Sequence, residues 1–409
     1  MKKQLLCTSA IALGIAAAPA AAQEWNLDWG GYMNQHVAFG DISDNLAVIA
    51  GPAFSGQDWE GDGLDLHQTS EIIFTPNVTL DNGLTFGINI QLEGENVGAR
   101  VDETYMSISS DTFGRLDLGA ENSAGYKSMV GAPSVTSMYI NSPSTSAFIP
   151  FTGVDASFAA SVGLTGAFLT ALPFRQAGIS SYTEVGGNND VQRITYYTPD
   201  FNGLTIGVSY APQGAVNAAS SYSINKNAVL SDIFDIGVNY SNSFGSTDIT
   251  LAARWGTGET PSLAAGASDF ETWGVGFQVG FNNITIGGSW TENDNDETLA
   301  GFGATTAGAP APTTAAGDSE GWSFGVTYDA AGPWAFEALT YQSETDIVIG
   351  GANSGFKTER EAYKIGASRT LGPGVDWDIY VVHETRDLNV TPGTEIEGTL
   401  LGTAINLSF

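Results

Sequence analysis

Charged side chains are the groups whose spacing in this sequence suggests a shared task, and the spacing is two. In FGRLDLGAE, Arg115, Asp117, Gly119 and Glu121 fall on one side of an extended chain, opposite Leu116, Leu118 and Ala120. In VQRITYYTP, Arg193 shares a side with Thr195 and Tyr197, opposite Ile194 and Tyr196. Glu93, Glu103, Arg254, Lys364, Asp378, Glu384 and Arg386 also fall on the polar faces of alternating segments. Charges fixed in this way concentrate counter-ions and order water rather than make or break covalent bonds. A Ser-His-carboxylate set is arithmetically available, because His36, His67 and His383 accompany many serines and aspartates. No Gly-x-Ser-x-Gly motif marks a nucleophile, however, and His383 alternates with Val381 and Thr385 on the side away from the charges, so no enzyme is expected. The acidic stretches GQDWEGDGLDLH (Asp58, Glu60, Asp62, Asp65) and TENDNDETLAG (Asp294, Asp296, Glu297) offer oxygen ligands without the spacing of a calcium loop. Loop-bound Ca2+ is the one cofactor these residues would admit; otherwise none is expected.

The elements that position the charges are strands. Leu84, Phe86, Ile88, Ile90 and Leu92 alternate with Thr85, Gly87, Asn89, Gln91 and Glu93, and the same period recurs in LTIGVSY, FDIGVNY, TWGVGFQVGF and WSFGVTY. A soluble sandwich alternates as well. Two further features separate the cases: the second face is small and polar, and the aromatics form two bands. Phe113, Phe201, Phe244, Phe281, Trp334 and Trp377 flank tight turns, while Tyr210, Trp255, Trp273, Trp290, Trp322 and Tyr363 stand at the opposite strand ends. Paired aromatic girdles predict an all-β, transmembrane antiparallel barrel, which must close because lipid cannot satisfy an open edge.

Lys2 and Lys3, the apolar run Leu5 to Ala18 and the small residues Ala20 to Ala22 read as a secretory signal over residues 1–22, leaving 23–409 as one barrel domain. Cys7, the only cysteine, leaves with that segment, which excludes disulfides and thiolate metal sites from the remainder. What remains carries 12 basic against 45 acidic residues, a net charge of −33, so nucleic acid is excluded as a partner. With 42% hydrophobic residues the chain is too apolar for an acidic disordered segment.

Seven tight turns, near residues 81–83, 112–114, 202–203, 243–246, 282–283, 330–333 and 372–374, alternate with eight longer connections, one of them placed at 343–361. That count predicts sixteen strands with both termini on the short-turn side. The longest connection, 121–190, abandons the alternation for Ser, Ala, Gly and Pro; its Ala-rich part from Ser157 to Leu172 is a candidate helix. The chain ends on an outward-facing strand, LLGTAINLSF, closed by Phe409.

The stretches DETYMSISSDTFGRLDLG and VQRITYYTPDFNGLTIGVSYAP, with the terminal LSF, resemble the general porins of Gram-negative outer membranes, the alphaproteobacterial type in particular. The resemblance implies a homotrimer of sixteen-stranded barrels in the outer membrane, in contact with lipid and lipopolysaccharide and passing ions and small hydrophilic solutes. It also implies that the third outer loop, here 121–190, folds inward and constricts the bore. Asp117 and Ala120 stand where such porins commonly carry basic residues, leaving Lys127, Arg175 and Arg193 as a smaller basic set facing the loop carboxylates Glu121, Asp155 and Glu184. A mild cation preference is therefore expected. The alternatives are a substrate-specific channel for a sugar or organic acid, and a secreted acidic β-rich surface protein.

Overall fold

The computed structural model describes residues 24–42, 62–94, 101–140, 148–149, 190–214, 230–259, 269–294, 314–349, 352–387 and 395–409. The strands are β1 (Trp29–Ile42), β2 (Gly63–Phe74), β3 (Asn77–Thr79), β4 (Thr85–Glu93), β5 (Val101–Ser110), β6 (Gly114–Glu121), β7 (Val191–Tyr197), β8 (Leu204–Gln213) and β9 (Ser231–Phe244). They continue as β10 (Thr247–Glu259), β11 (Phe270–Phe281), β12 (Ile284–Asp294), β13 (Thr314–Asp329), β14 (Trp334–Ile349), β15 (Ala352–Gly372), β16 (Val375–Asp387) and β17 (Ile396–Ser408). One helical turn, α1 (Ala124–Ser128), follows β6.

β2 and β3 are one span. Both pair with β4, and the break between them falls at Thr75 and Pro76, where proline has no amide hydrogen to give the ladder. Counted so, sixteen antiparallel spans form a single closed sheet. The seam joins β1 to β17 from Tyr32↔Ser408 to Ile42↔Gly398. At its lower end Gly31 and Phe409 exchange both backbone hydrogen bonds at 3.1 Å, and the Trp29 and Phe409 rings meet edge to face at 5.6 Å. Both ends of the described chain thus lie with the tight turns. Asn202 and Gly203, with φ of 58° and 91°, supply the left-handed pair that one such turn requires.

Successive residues point to opposite faces of this wall. Ile365 and Leu401 are 60% and 59% exposed, whereas Val382 and Leu400 are at most 1% exposed, so apolar side chains face outward over a band suited to lipid or a neighbouring barrel rather than to water. That band excludes the secreted, soluble alternative. The girdles close it above and below: Trp255 faces Trp273 and Trp290 faces Trp322 across adjacent strands at one end, and Phe113, Phe201, Phe244 and Phe281 stand exposed at the other.

One strand boundary departs from the expectation. The segment 343–361 is not a long connection, because β14 runs to Ile349 and β15 resumes at Ala352. Its run of charges lies on strands that continue past the girdle into water. There Glu292, Glu320, Glu344, Glu359 and Asp387 stand directly opposite one another on β12 to β16, with Lys357 bonded to Glu344 and 3.6 Å from Asp346.

Val275, outward at the middle of β11 and 53% exposed, tests the lipid assignment. Val275→Arg should cost about 2–4 kcal/mol of barrel stability, against about 0–1 for an arginine at the girdle position Trp290. Urea unfolding in lipid vesicles measures both.

Candidate functional site

The inner wall is polar where water meets it and mixed where the chain itself covers it. After Glu121 the backbone turns into the barrel. Ser123 caps α1 by accepting a hydrogen bond from the Tyr126 amide at 3.1 Å, and Ala124 donates its amide to Ser209 Oγ of β8 at 2.7 Å. From there the segment crosses the wall strand by strand. Asn239 of β9 donates to the Ser128 carbonyl at 2.9 Å, Gln278 of β11 to the Gly131 carbonyl at 2.9 Å, and the Ala132 amide to Ser323 Oγ of β13 at 3.1 Å. Contact this close requires bare backbone on the wall: a Cβ at Gly276 would collide with the Val130 carbonyl, and one at Gly237 would lie 2.5 Å from the Ala124 carbonyl.

Two carboxylates then clamp the segment. Glu337 of β14 accepts from Ser134 Oγ at 2.7 Å, from the Val135 amide at 2.7 Å and from Thr136 Oγ1 at 2.5 Å. Asp378 of β16 accepts from the amide and hydroxyl of Ser137 at 2.8 and 2.9 Å and from Asn406 of β17 at 2.6 Å. The cations of this sector are engaged as well. Lys364 of β15 lies 2.9 Å from Glu337 and donates to the Met138 carbonyl at 2.7 Å. Arg360, also on β15, is 2.6 Å from Glu384 and donates to the Ile140 carbonyl, while Arg386 of β16 pairs with Glu384 and donates to the Ile149 carbonyl at 3.1 Å. Arg254 of β10 is 2.6 Å from Asp235 of β9. Apolar contacts fill the remainder: Ala132 and Ile140 pack on Leu339, Tyr341 and Ala362, and Met138, Phe148 and Ile149 pack on Ala38, Tyr380, Val382 and Leu400.

In the facing sector, β4 to β7, Glu103, Asp117, Glu121 and Arg193 are buried too, and it is Arg115 and Lys127 that reach the water. Lys127 reaches from α1 to Glu121 at 3.0 Å and Glu103 at 3.2 Å, with its ammonium 4.9 Å from the Tyr105 ring centre. Burial pulls its pKa down, but Glu121 and Glu103 more than offset that, so the net shift is upward. Lys127 therefore stays charged throughout the acid and neutral range. Arg115 lies 2.8 Å from Asp117, bonds the Tyr105 hydroxyl at 3.2 Å, and keeps 45% of its side chain exposed.

The described charges that alternation placed on the inner face do face inward, while Asp62, Asp65 and Asp294 of the acidic stretches stand exposed; the inward ones divide into two groups. Glu93, Glu103, Arg115, Asp117, Glu121 and Arg193 belong to the sector β4 to β7. Arg254, Lys364, Asp378, Glu384 and Arg386 are at most 5% exposed, as are Glu103, Asp117, Glu121 and Arg193; what sets the former apart is that all but Arg254 hold residues 134–140 and Ile149 directly or through a partner. Asp155, Arg175, Glu184 and the candidate helix Ser157 to Leu172 lie outside the described residues. Alternation missed Asp235, Glu337 and Arg360. Arg360 shares the parity of Lys364, a signal that was present; Glu337 shares its face with Leu339 and Tyr341, which read as apolar.

Removing one member of a buried pair isolates the other. Glu337→Ala should cost about 3–5 kcal/mol and the double change Glu337→Leu with Lys364→Met clearly less, as read from urea unfolding midpoints.

This geometry has known counterparts. No curated protein sequence matches the chain significantly. Among solved structures, the outer membrane channel DcaP of Acinetobacter baumannii superposes with a TM-score of 0.56 at 13% identity, covering 97% of this chain and 100% of that one. OmpT of Vibrio cholerae in its trimer form gives 0.54 at 11% identity, over 94% and 99%. A refined porin structure gives 0.52 at 17% identity, over 94% and 100%. At such identities the likeness is one of fold. Residues 8–388 match the profile of the Gram-negative porins, so the chain belongs to that family, a multi-pass β-barrel channel of the outer membrane.

Proposed function

We propose that the channel passes ions and small hydrophilic solutes by passive diffusion, prefers cations mildly, and works as a homotrimer. The observation that carries the ion preference is the fate of the basic side chains. Arg254, Arg360, Lys364 and Arg386 are buried and paired with Asp235, Glu384 and Glu337, so their fields are neutralised before they reach the bore. Around the opposite sector Glu71, Glu93, Glu103, Asp117 and Glu121 outnumber Lys127, Arg115 and Arg193, and Arg115 is itself paired with Asp117. A low-dielectric wall focuses that acidic excess onto permeating ions. The trimeric reading is supported by the trimer form of the OmpT likeness and by the family. Lipopolysaccharide is the outer-leaflet partner expected along the upper girdle.

Reversal potentials across a potassium chloride gradient in planar bilayers should give a cation-to-anion permeability ratio above unity. Glu93→Gln and Glu103→Gln should lower the ratio, and Lys127→Gln should raise it. An anion preference in the unaltered protein would overturn the assignment. Cross-linking in mild detergent should trap three copies.

A further inference from the structure

The outer wall carries one basic side chain that the ion pairs leave over. Among the described residues every other lysine and arginine is in an ion pair or, like Arg193, buried on the bore side. Arg369 of β15 makes no hydrogen bond and no ion pair with any described residue, and its Nε is enclosed without a partner. It shares the outward parity of Tyr363 and Ile365 and stands just before the tight turn at 372–374. Across its two ladders it faces Trp334 of β14 and Trp377 of β16. Its guanidinium carbon lies 5.5 Å from the Trp334 ring centre, and the two indoles meet at 5.8 Å, closing around the arginine stem. The next outward positions toward the bilayer centre, Phe336, Ala367 and Ile379, lie in register and carry no charge, and Ala367 leaves a notch between the two larger side chains.

From this arrangement we infer that Arg369, set between Trp334 and Trp377, binds the phosphodiester of a glycerophospholipid, one of whose acyl chains lies in the notch over Ala367. The tight turns of outer-membrane barrels face the periplasm, so Arg369 stands at the headgroup layer of the periplasmic leaflet. Indole rings anchor at that depth, and an arginine stacked on one keeps its charge in the wet layer while its stem is packed. The guanidinium fork matches two phosphate oxygens, and such a charge-assisted pair strengthens where water is scarce. The carboxylates of the neighbouring strand do not compete for it. Asp376 and Asp378 take the inward parity, and Asp378 is committed to Ser137 and Asn406. Glu344 and Glu359 stand at the far end of β14 and β15. On a net-acidic chain an isolated outward cation decides where an anionic headgroup settles.

Native mass spectrometry of the barrel in mild detergent, titrated with dioleoylphosphatidylglycerol, reads the site. The phospholipid should be retained in preference to dioleoylglycerol, which has the same chains and no phosphate, and inorganic phosphate should neither bind nor displace it. Arg369→Gln should weaken retention about ten- to a hundredfold, the loss expected for a charge-assisted pair, and Arg369→Lys should weaken it less. Ala367→Phe fills the notch and leaves the arginine in place, and it should weaken retention as well. The site lies outside the bore, so these variants should conduct in planar bilayers as the unaltered protein does, which shows them folded and separates the lipid site from the channel reading. Equal retention of the phospholipid by Arg369→Gln or by Ala367→Phe would overturn the site, as would binding of inorganic phosphate without lipid. Loss of cross-linked trimers in Arg369→Gln with lipid retention unchanged would overturn it in favour of a contact between copies.

Discussion

In hydrocarbon every backbone amide and carbonyl must find its partner inside the protein, and the architecture follows from that requirement. A strand satisfies half of its polar groups on each side, so a sheet in lipid has no tolerable edge and must return on itself. The β1–β17 ladder is where this is met, eleven residues deep. Once the wall closes, alternation leaves the bore as the only place where a charge is stable, and every described charge within the belt is found there or at the rims.

The same requirement explains how a stretch with no regular secondary structure beyond the single turn α1 survives inside the barrel. Residues 122–140 contribute backbone groups that a strand would have paired with a neighbour, and the wall answers them with side chains: Ser209, Asn239, Gln278, Ser323, Glu337 and Asp378 in sequence around the ring. Carboxylates placed for this purpose need counter-charges in a water-poor layer, and Lys364, Arg360 and Arg386 provide them while also taking the segment's carbonyls. The charge network and the course of the segment are one construction. Its cost is that these cations no longer act on ions in the bore.

Strand positions, turns, closure and inward parity were legible in the sequence, because a wall with lipid on one face and water on the other writes itself as a period of two. Which inward charges meet water was not legible. Parity places Lys364 and Arg115 on the same face, but cannot say that Ser134 and Thr136 will cover the first, since the covering segment has no period to read. The sector it covers also breaks the polar-inside rule, with Leu339, Tyr341, Tyr380 and Val382 facing the segment rather than solvent. The 343–361 reading failed for a related reason: hydrogen-bonded strand continues beyond the lipid, and charges such as Glu359 and Glu361 look like loop only if a strand is assumed to end with the membrane.

That extension leaves five carboxylates side by side on β12 to β16, against one neighbouring lysine. Like charges directly opposite in a ladder loosen it, and the repulsion is screened over about 10 Å at 0.1 M salt and about 30 Å at 0.01 M. The outer ends of these strands are thus held in part by the surrounding electrolyte. Salt therefore favours the outer ends of these strands, and the rim of the channel is the part of the wall whose cohesion depends on the electrolyte outside.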